Sequence, residues 1–185
     1  MKSLILLSGG IDSAVVLGAC VAGGDDCLAV GFDYGQAHAV ELDAAKAVAD
    51  HYRVPFERID LPPMPKVDDV VFAGRNLVLI SHAIAMAQAR GIGSVAIGCN
   101  SSDWLRFPDC RPPFWRAVAQ CGEAYGVKVH TPLVYMSKLD VIEYAAKLDV
   151  PLGLTWSCYA PADGEPCGEC LACKTRKEAL ECLPA

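Results

Sequence analysis

No apolar run in this 185-residue chain approaches the ~20 residues that a membrane-spanning helix needs. The start, MKSLILLSGG, carries only the brief run LILL before its glycines, too short for the apolar segment of a secretory signal. Together these absences predict a cytoplasmic chain that meets no membrane. An excess of positive charge is also missing. The net charge is −6, which argues against a large nucleic-acid footprint and predicts no direct nucleic-acid binding. Internal repeats and low-complexity segments are absent. So are two nucleotide signatures, G-x-x-x-x-G-K-S/T and G-x-G-x-x-G. Cysteine, by contrast, is plentiful at ten residues. In a cytoplasmic chain that number points to metal binding or reactive thiols before disulfides.

With 53% hydrophobic and 21% charged residues, the chain is globular, and its length suits one domain with a small appendage. SLILL (3–7), CLAVGFDY (27–34), PFERIDL (55–61), SVAIGC (94–99) and VKVHTPL (127–133) read as strands, being short apolar runs bounded by turn residues. Between them, 13–20, 41–51, 75–91 and 114–126 read as helices, and 137–148 reads as a fifth after the last strand. Gly91 and Gly126 stand as helix-ending glycines and Ser137 as an N-cap. LPPMPKVDDVVFAG (61–74), with three prolines and no clear period, reads as a loop and a candidate lid. After Pro151 the periodicity stops. Five alternations of strand and helix predict an α/β fold, a Rossmann-like doubly wound parallel five-stranded sheet. The expected organisation is an α/β domain over 1–150 and a cysteine-rich segment over 151–185 packed on it.

Ser8-Gly9-Gly10-Ile11-Asp12-Ser13 follows the first strand and opens the first helix. In such sheets ligands bind at the carboxyl ends of the strands. A helix N-terminus there offers unpaired N–H groups, and the glycines let a phosphate approach the backbone. Ser8 and Ser13 add hydroxyl donors. Asp12 would repel a bare anion, so it reads as a helix cap or a magnesium ligand. The lysine-free S-G-G-x-D-S loop resembles the pyrophosphate loop of ATP pyrophosphatases, enzymes that cleave ATP between the α and β phosphates.

Cys158, Cys167, Cys170 and Cys173 are spaced C-x8-C-x2-C-x2-C. The spacing suits a tetrahedral four-thiolate zinc site with no open position, hence structural. An iron–sulfur cluster is the competitor, but the C-P that closes ferredoxin-type runs is missing, since Lys174 follows Cys173. Arg176 and Lys177 stand near to offset thiolate charge. Cys20, Cys27, Cys99, Cys110, Cys121 and Cys182 read mostly as small buried hydrophobes. Cys110, beside Arg111, is weighed as a nucleophile, with the buried reading preferred.

The pairing of that loop with a C-terminal four-cysteine site resembles the QueC family, the 7-cyano-7-deazaguanine synthases. Further segments agree: FDYGQAHAVE (32–41) resembles the family's F-x-Y-G-Q-x-H-x-x-E, and AGRN (73–76) its P-G-R-N. FPDCRPPF (107–114) resembles Y-P-D-C-R-P-E-F, HTPL (130–133) with Lys138 resembles T-P-L and a downstream lysine, and TWSCY (155–159) resembles T-x-S-C-Y. The resemblance implies an ATP-dependent ligase that converts 7-carboxy-7-deazaguanine and ammonia to the nitrile through adenylated intermediates, with structural zinc, magnesium and ATP, as a homodimer. It implies that Ser8, Gly9, Gly10, Asp12 and Ser13 hold the pyrophosphate end of ATP, with Leu7 and Ile11 also at the nucleotide. Gly31, Phe32 and Asp33 then serve the adenosine, Arg75 and Lys138 neutralise phosphate charge, and Asp109 and Arg111 read the deazaguanine. His38 lies one turn from Glu41, as a structural or acid–base pair. Three departures, Ala73, NSSDWLRF (100–107) and Pro113, cluster where the deazaguanine is expected. They leave open a different acceptor, or a reaction that stops at the amide. A tRNA-thiolating relative and a non-catalytic nucleotide-binding subunit are the rivals. The charge of −6 and the lone cysteine cluster speak against the first. The intact SGGIDS loop speaks against the second.

Overall fold

Strand β1 (Lys2–Leu6) is apolar on both faces because it lies at the centre of a sheet covered on both sides. The computed structural model describes residues 1–36, 40–64, 74–162 and 164–181. After β1 come α1 (Ile11–Ala22), β2 (Asp26–Asp33), α2 (Glu41–His51), β3 (Phe56–Asp60) and α3 (Arg75–Ala89). There follow β4 (Ser94–Ile97), α4 (Pro112–Ala124), β5 (Lys128–His130), α5 (Lys138–Lys147) and α6 (Leu171–Glu181). All strand pairs are parallel, in the order β3-β2-β1-β4-β5. Leu4 pairs with Leu28 of β2 and with Val95 of β4, which fixes the register at the centre.

The two-residue period of β1 sends its side chains into two cores. Ile5 and Leu7 pack with Val15, Leu17, Val48 and Ile142 beneath α1, α2 and α5. Leu4 and Leu6 pack with Val30, Ile80, Val95 and Trp115 beneath α3 and α4. The chain leaves β1 for β2 on one side and reaches β4 on the other. That reversal opens a crevice at the carboxyl ends of β1 and β4.

Local chemistry explains most boundaries. Ser137 accepts from the Asp140 N–H at 3.2 Å, and Asp140 accepts from the Ser137 N–H at 2.8 Å, a reciprocal cap on α5. Gly91 has φ of 65° just past α3 and Gly126 has φ of 71° past α4, the left-handed exits expected of glycine. Helix α4 begins at Pro112, two residues before the expected Phe114, because proline fits the first helical turn. Strand β5 stops at His130, short of the expected 133, since Pro132 has no N–H for a ladder. The segment after Pro151, expected to lack period, contains α6. Its sequence is polar, and of its residues only Ala179 is buried, so tertiary docking and not an apolar stripe holds it. Of the 61–74 loop, 61–64 lack regular structure, and 65–73 lie outside the described residues.

Candidate active site

Gly9 holds the turn between β1 and α1. Its φ is 90°, and an added Cβ would lie 2.0 Å from the Glu41 carbonyl oxygen. Only glycine fits there, since both the backbone angle and the space exclude a side chain. The N-cap of α1 is Gly10, which supplies no side-chain cap, so the first-turn N–H groups stay available to a ligand. The buried Ser13 hydroxyl accepts from the Ser8 N–H at 3.2 Å and donates to the Gly10 carbonyl at 3.0 Å. The loop is therefore preorganised by its own side chains.

Asp12 faces the crevice at the first turn of α1. Lys138, the first residue of α5, donates to one of its carboxylate oxygens at 2.5 Å. Asn100, just past β4, donates to the other at 2.7 Å and also to Asp103 at 3.2 Å. The ion pair joins residues 126 positions apart and is mostly sequestered from solvent, at 24% and 19% side-chain exposure. Asn100 did not figure among the sequence candidates. Its signal was position, immediately beyond a central strand's carboxyl end. Gly98 makes this packing possible, since a Cβ there would lie 2.7 Å from the Asp12 carbonyl carbon.

The crevice is a cleft of about 450 Å3. Leu7, Ser8, Gly10, Ile11, Asp12, Ser13, Phe32, Arg75, Asp109 and Lys138 line it, as do Tyr34, Glu41, Asp103, Arg106 and Tyr159. Arg75 donates to the Tyr34 hydroxyl at 3.2 Å, and Asp109 accepts from the Asn76 N–H at 3.4 Å. Burial opposes the Arg75 charge, but Tyr34, Glu41 and Asp109 outweigh it and hold its pKa above the ordinary value. Burial pushes Glu41 up to about 7, against the pull of Arg75 and the hydrogen bond from Gln36. Burial, then Asp103 and Asp109, push the Cys110 thiol up to about 12, so this cysteine is a poor nucleophile and keeps the buried reading.

Other sequence candidates lie elsewhere. Arg111 is exposed and donates to the Trp104 carbonyl at 2.6 Å, outside the cleft lining. Asp33 pairs with the Arg58 guanidinium and accepts from the Gly35 N–H at 3.0 Å. Gly31 serves packing, because a Cβ there would lie 2.8 Å from the Phe56 ring. His38 falls outside the described residues, as does Cys182.

The four cysteine sulfurs all lie within 4.8 Å of one another, and those of Cys158 and Cys167 are 3.5 Å apart. A tetrahedral zinc with 2.3 Å bonds needs sulfurs about 3.8 Å apart, so the cluster fits such an ion. Backbone N–H groups of Cys167, Cys170 and Cys173 point at the sulfurs of Cys158, Cys167 and Cys170 at 3.3, 3.3 and 3.5 Å. The N–H groups of Cys170 and Glu169 hold the Cys167 thiol below its ordinary pKa. The cluster is tied to the loop. The Trp156 N–H donates to the Gly9 carbonyl at 2.8 Å, and the Trp156 indole N–H donates to the Cys158 carbonyl at 2.9 Å. Arg176 of α6 braces the same segment, donating to Thr155 at 2.7 Å, Ser157 at 3.3 Å and the Leu152 carbonyl at 2.6 Å.

Against known proteins, the model of the family described as queuosine biosynthesis protein QueC matches residues 2–70 and 64–183. The chain belongs to the QueC family. Among similar proteins, the 7-cyano-7-deazaguanine synthase of Trichodesmium erythraeum is 36% identical, covering 98% of this chain and 96% of its own length. That of Leptospira interrogans is 35% identical, with 97% and 86% covered. That of Thermoplasma volcanium is 34% identical, with 95% and 84% covered. Solved structures share the fold. The tRNA thiolase NcsA of Methanococcus maripaludis, determined with its 4Fe–4S cluster, has a TM-score of 0.61 at 16% identity, covering 98% of this chain. This chain spans 63% of the thiolase's length. NMN synthetase of Francisella tularensis has a TM-score of 0.52 at 18% identity, with 100% of this chain and 79% of the synthetase covered. Among the described residues no helix is long and apolar enough to cross a membrane.

Proposed function

We propose that the chain uses ATP to convert 7-carboxy-7-deazaguanine and ammonia to 7-cyano-7-deazaguanine. The observation that carries the reading is the Ser8–Ser13 loop at the strand-order reversal, in a chain that matches 7-cyano-7-deazaguanine synthases over nearly its whole length. A carboxylate is a poor electrophile because its leaving group would be oxide. Its oxygen attacks the α-phosphate, the bond to the β-phosphate breaks, and pyrophosphate leaves. Ammonia then displaces AMP from the acyl adenylate and loses a proton, giving the amide. The amide oxygen then attacks the α-phosphate of a second ATP, and a second pyrophosphate leaves. Loss of AMP and the remaining N–H protons leaves the nitrile.

The chain's own groups suit these steps. The α1 N-terminus with Ser8, Gly9, Gly10, Ile11 and Ser13 binds pyrophosphate. Lys138 offsets phosphate charge and holds Asp12, while Leu7 and Phe32, which line the cleft, receive the adenosine. Asp109 accepts N–H donors of the deazaguanine. Asp12 would hold a magnesium ion, which supplies charge neutralisation on the phosphates. The four cysteines would hold zinc, closing residues 151–185 onto the 1–150 domain. The family reading also carries a homodimer, and the short apolar runs and net charge of −6 support a cytoplasmic protein with no direct nucleic-acid contact.

The test is release of AMP and pyrophosphate from ATP, magnesium, ammonium and 7-carboxy-7-deazaguanine, with the product weighed by mass spectrometry. The nitrile is expected, with activity falling at least ~100-fold in Asp12→Ala as charge positioning at the α-phosphate is lost. AMP without nitrile would mean an amide product or a different acceptor, and the product mass separates the two. No AMP from folded, zinc-loaded protein would sink the reading.

A further inference from the structure

The cleft holds two separate polar centres. One is Asp12 with Lys138 and Asn100, at the phosphate loop. The other gathers Tyr34 beyond β2, Arg75 and Asn76 at the start of α3, and Asp109 before α4. The Arg75 Nε is sealed from solvent, lines up with no acceptor among the described residues, and belongs to a side chain that lines the cleft. A buried donor without an acceptor is costly, so the site is built for a ligand oxygen.

We propose that Arg75 binds the acceptor molecule and not ATP, its guanidinium donating to the ring carbonyl oxygen of a guanine-like heterocycle whose N–H edge meets Asp109. The inference rests on the function proposed above and names the acceptor subsite. Charge decides between the two ligands. The Arg75 charge is felt by Glu41, Asp103 and Asp109, so its surroundings are rich in carboxylates. A bare triphosphate would face those carboxylates beside Arg75, Arg106 and Lys138, and it offers no donor to Asp109. A neutral edge with adjacent donors and one carbonyl satisfies both signs of group. Arg111, which resemblance assigned to this role, is turned to the Trp104 carbonyl instead.

The experiment compares wild type with Arg75→Lys, which keeps the charge but loses the planar fork. Binding of ATP with magnesium alone is measured by calorimetry. KM is measured for 7-carboxy-7-deazaguanine and for its analogue lacking the ring carbonyl. We expect the ATP Kd to stay within about twofold and the acceptor KM to rise about tenfold or more, the loss of one good charge-assisted contact. Wild type should discriminate against the analogue about tenfold, and Arg75→Lys should discriminate far less. Tyr34→Phe, which frees the guanidinium from its hydroxyl partner, should raise the acceptor KM by a smaller factor, and it keeps the test open should Arg75→Lys fold poorly. A tenfold weaker ATP Kd with unchanged acceptor KM, or full discrimination retained in Arg75→Lys, would overturn the assignment. If wild type gives no AMP with this acceptor, the functional reading fails. The inference then falls with it, whereas AMP release with an acceptor KM unchanged in Arg75→Lys overturns the inference alone.

Discussion

At the scale of single residues, the site depends on places where one atom more is too many. Gly9 combines a φ of 90° with a Cβ position 2.0 Å from the Glu41 carbonyl oxygen. Gly9→Ala should cost at least ~2 kcal/mol in urea unfolding and abolish AMP release, because backbone strain of about 1–3 kcal/mol adds to the clash. Glu41 offers a pH signature. Its folded pKa, raised to about 7 from 4.5, means the folded state holds the proton more tightly than the unfolded one. The corresponding stability is present below pH ~4.5 and lost as pH rises through 7. Glu41→Gln mimics the protonated acid. Its stability advantage over wild type should therefore grow by on the order of 2 kcal/mol between pH 5 and pH 8, measured by urea unfolding at both. An advantage independent of pH would show that burial does not hold the proton there.

At the scale of elements, the tail is the instructive case. Helix α6 has a polar sequence and one buried residue, Ala179, so propensity alone does not hold it. The cysteine cluster anchors its start, and Arg176 ties it to Thr155, Ser157 and Leu152. Removing one ligand by Cys170→Ser should lower Tm by about 5–10 °C, since metal binding is folding free energy for such a segment. Because Trp156 bonds Gly9, the same variant should weaken ATP binding, read by calorimetry. Unchanged ATP affinity in a zinc-free protein would show that the tail does not shape the loop. Metal analysis of the purified wild type should find one zinc per chain. Iron and sulfide in its place would move the site to the cluster reading.

At the scale of the whole molecule, the sheet order β3-β2-β1-β4-β5 brings together groups distant in the chain. Asp12, Asn100 and Lys138 meet because β1, β4 and the turn after β5 end side by side. A ligand that bridges these elements should stabilise all of them at once. ATP with magnesium at about 100 times its Kd should add about 2.7 kcal/mol and raise Tm by roughly 5–10 °C in a scanning assay. Asp12→Ala should lose most of that rise while keeping the ligand-free Tm within a few degrees. A ligand-free collapse would mean that the Asp12–Lys138 pair is structural.

The sequence by itself determined the five strands, the four helices between them and the fifth that follows, the glycine loop at 8–13 and the cysteine set. Each rests on a local property. Continuous apolar runs need burial on both faces, glycines permit the turn at 9–10, and thiols three residues apart can share one ion. Boundaries shifted by one to three residues at most elements, and proline accounts for those at Pro112 and Pro132. The tertiary structure alone decided which side chains enter the cleft. Arg75 and Arg106 line it, while Arg111 turns away, because the side from which a residue leaves a turn depends on what packs behind it. The same holds for Asn100 on Asp12 and for Trp156 on Gly9. Those contacts span long stretches of chain, and no local period records them. They exist only once the parallel sheet has set the carboxyl ends of its strands side by side.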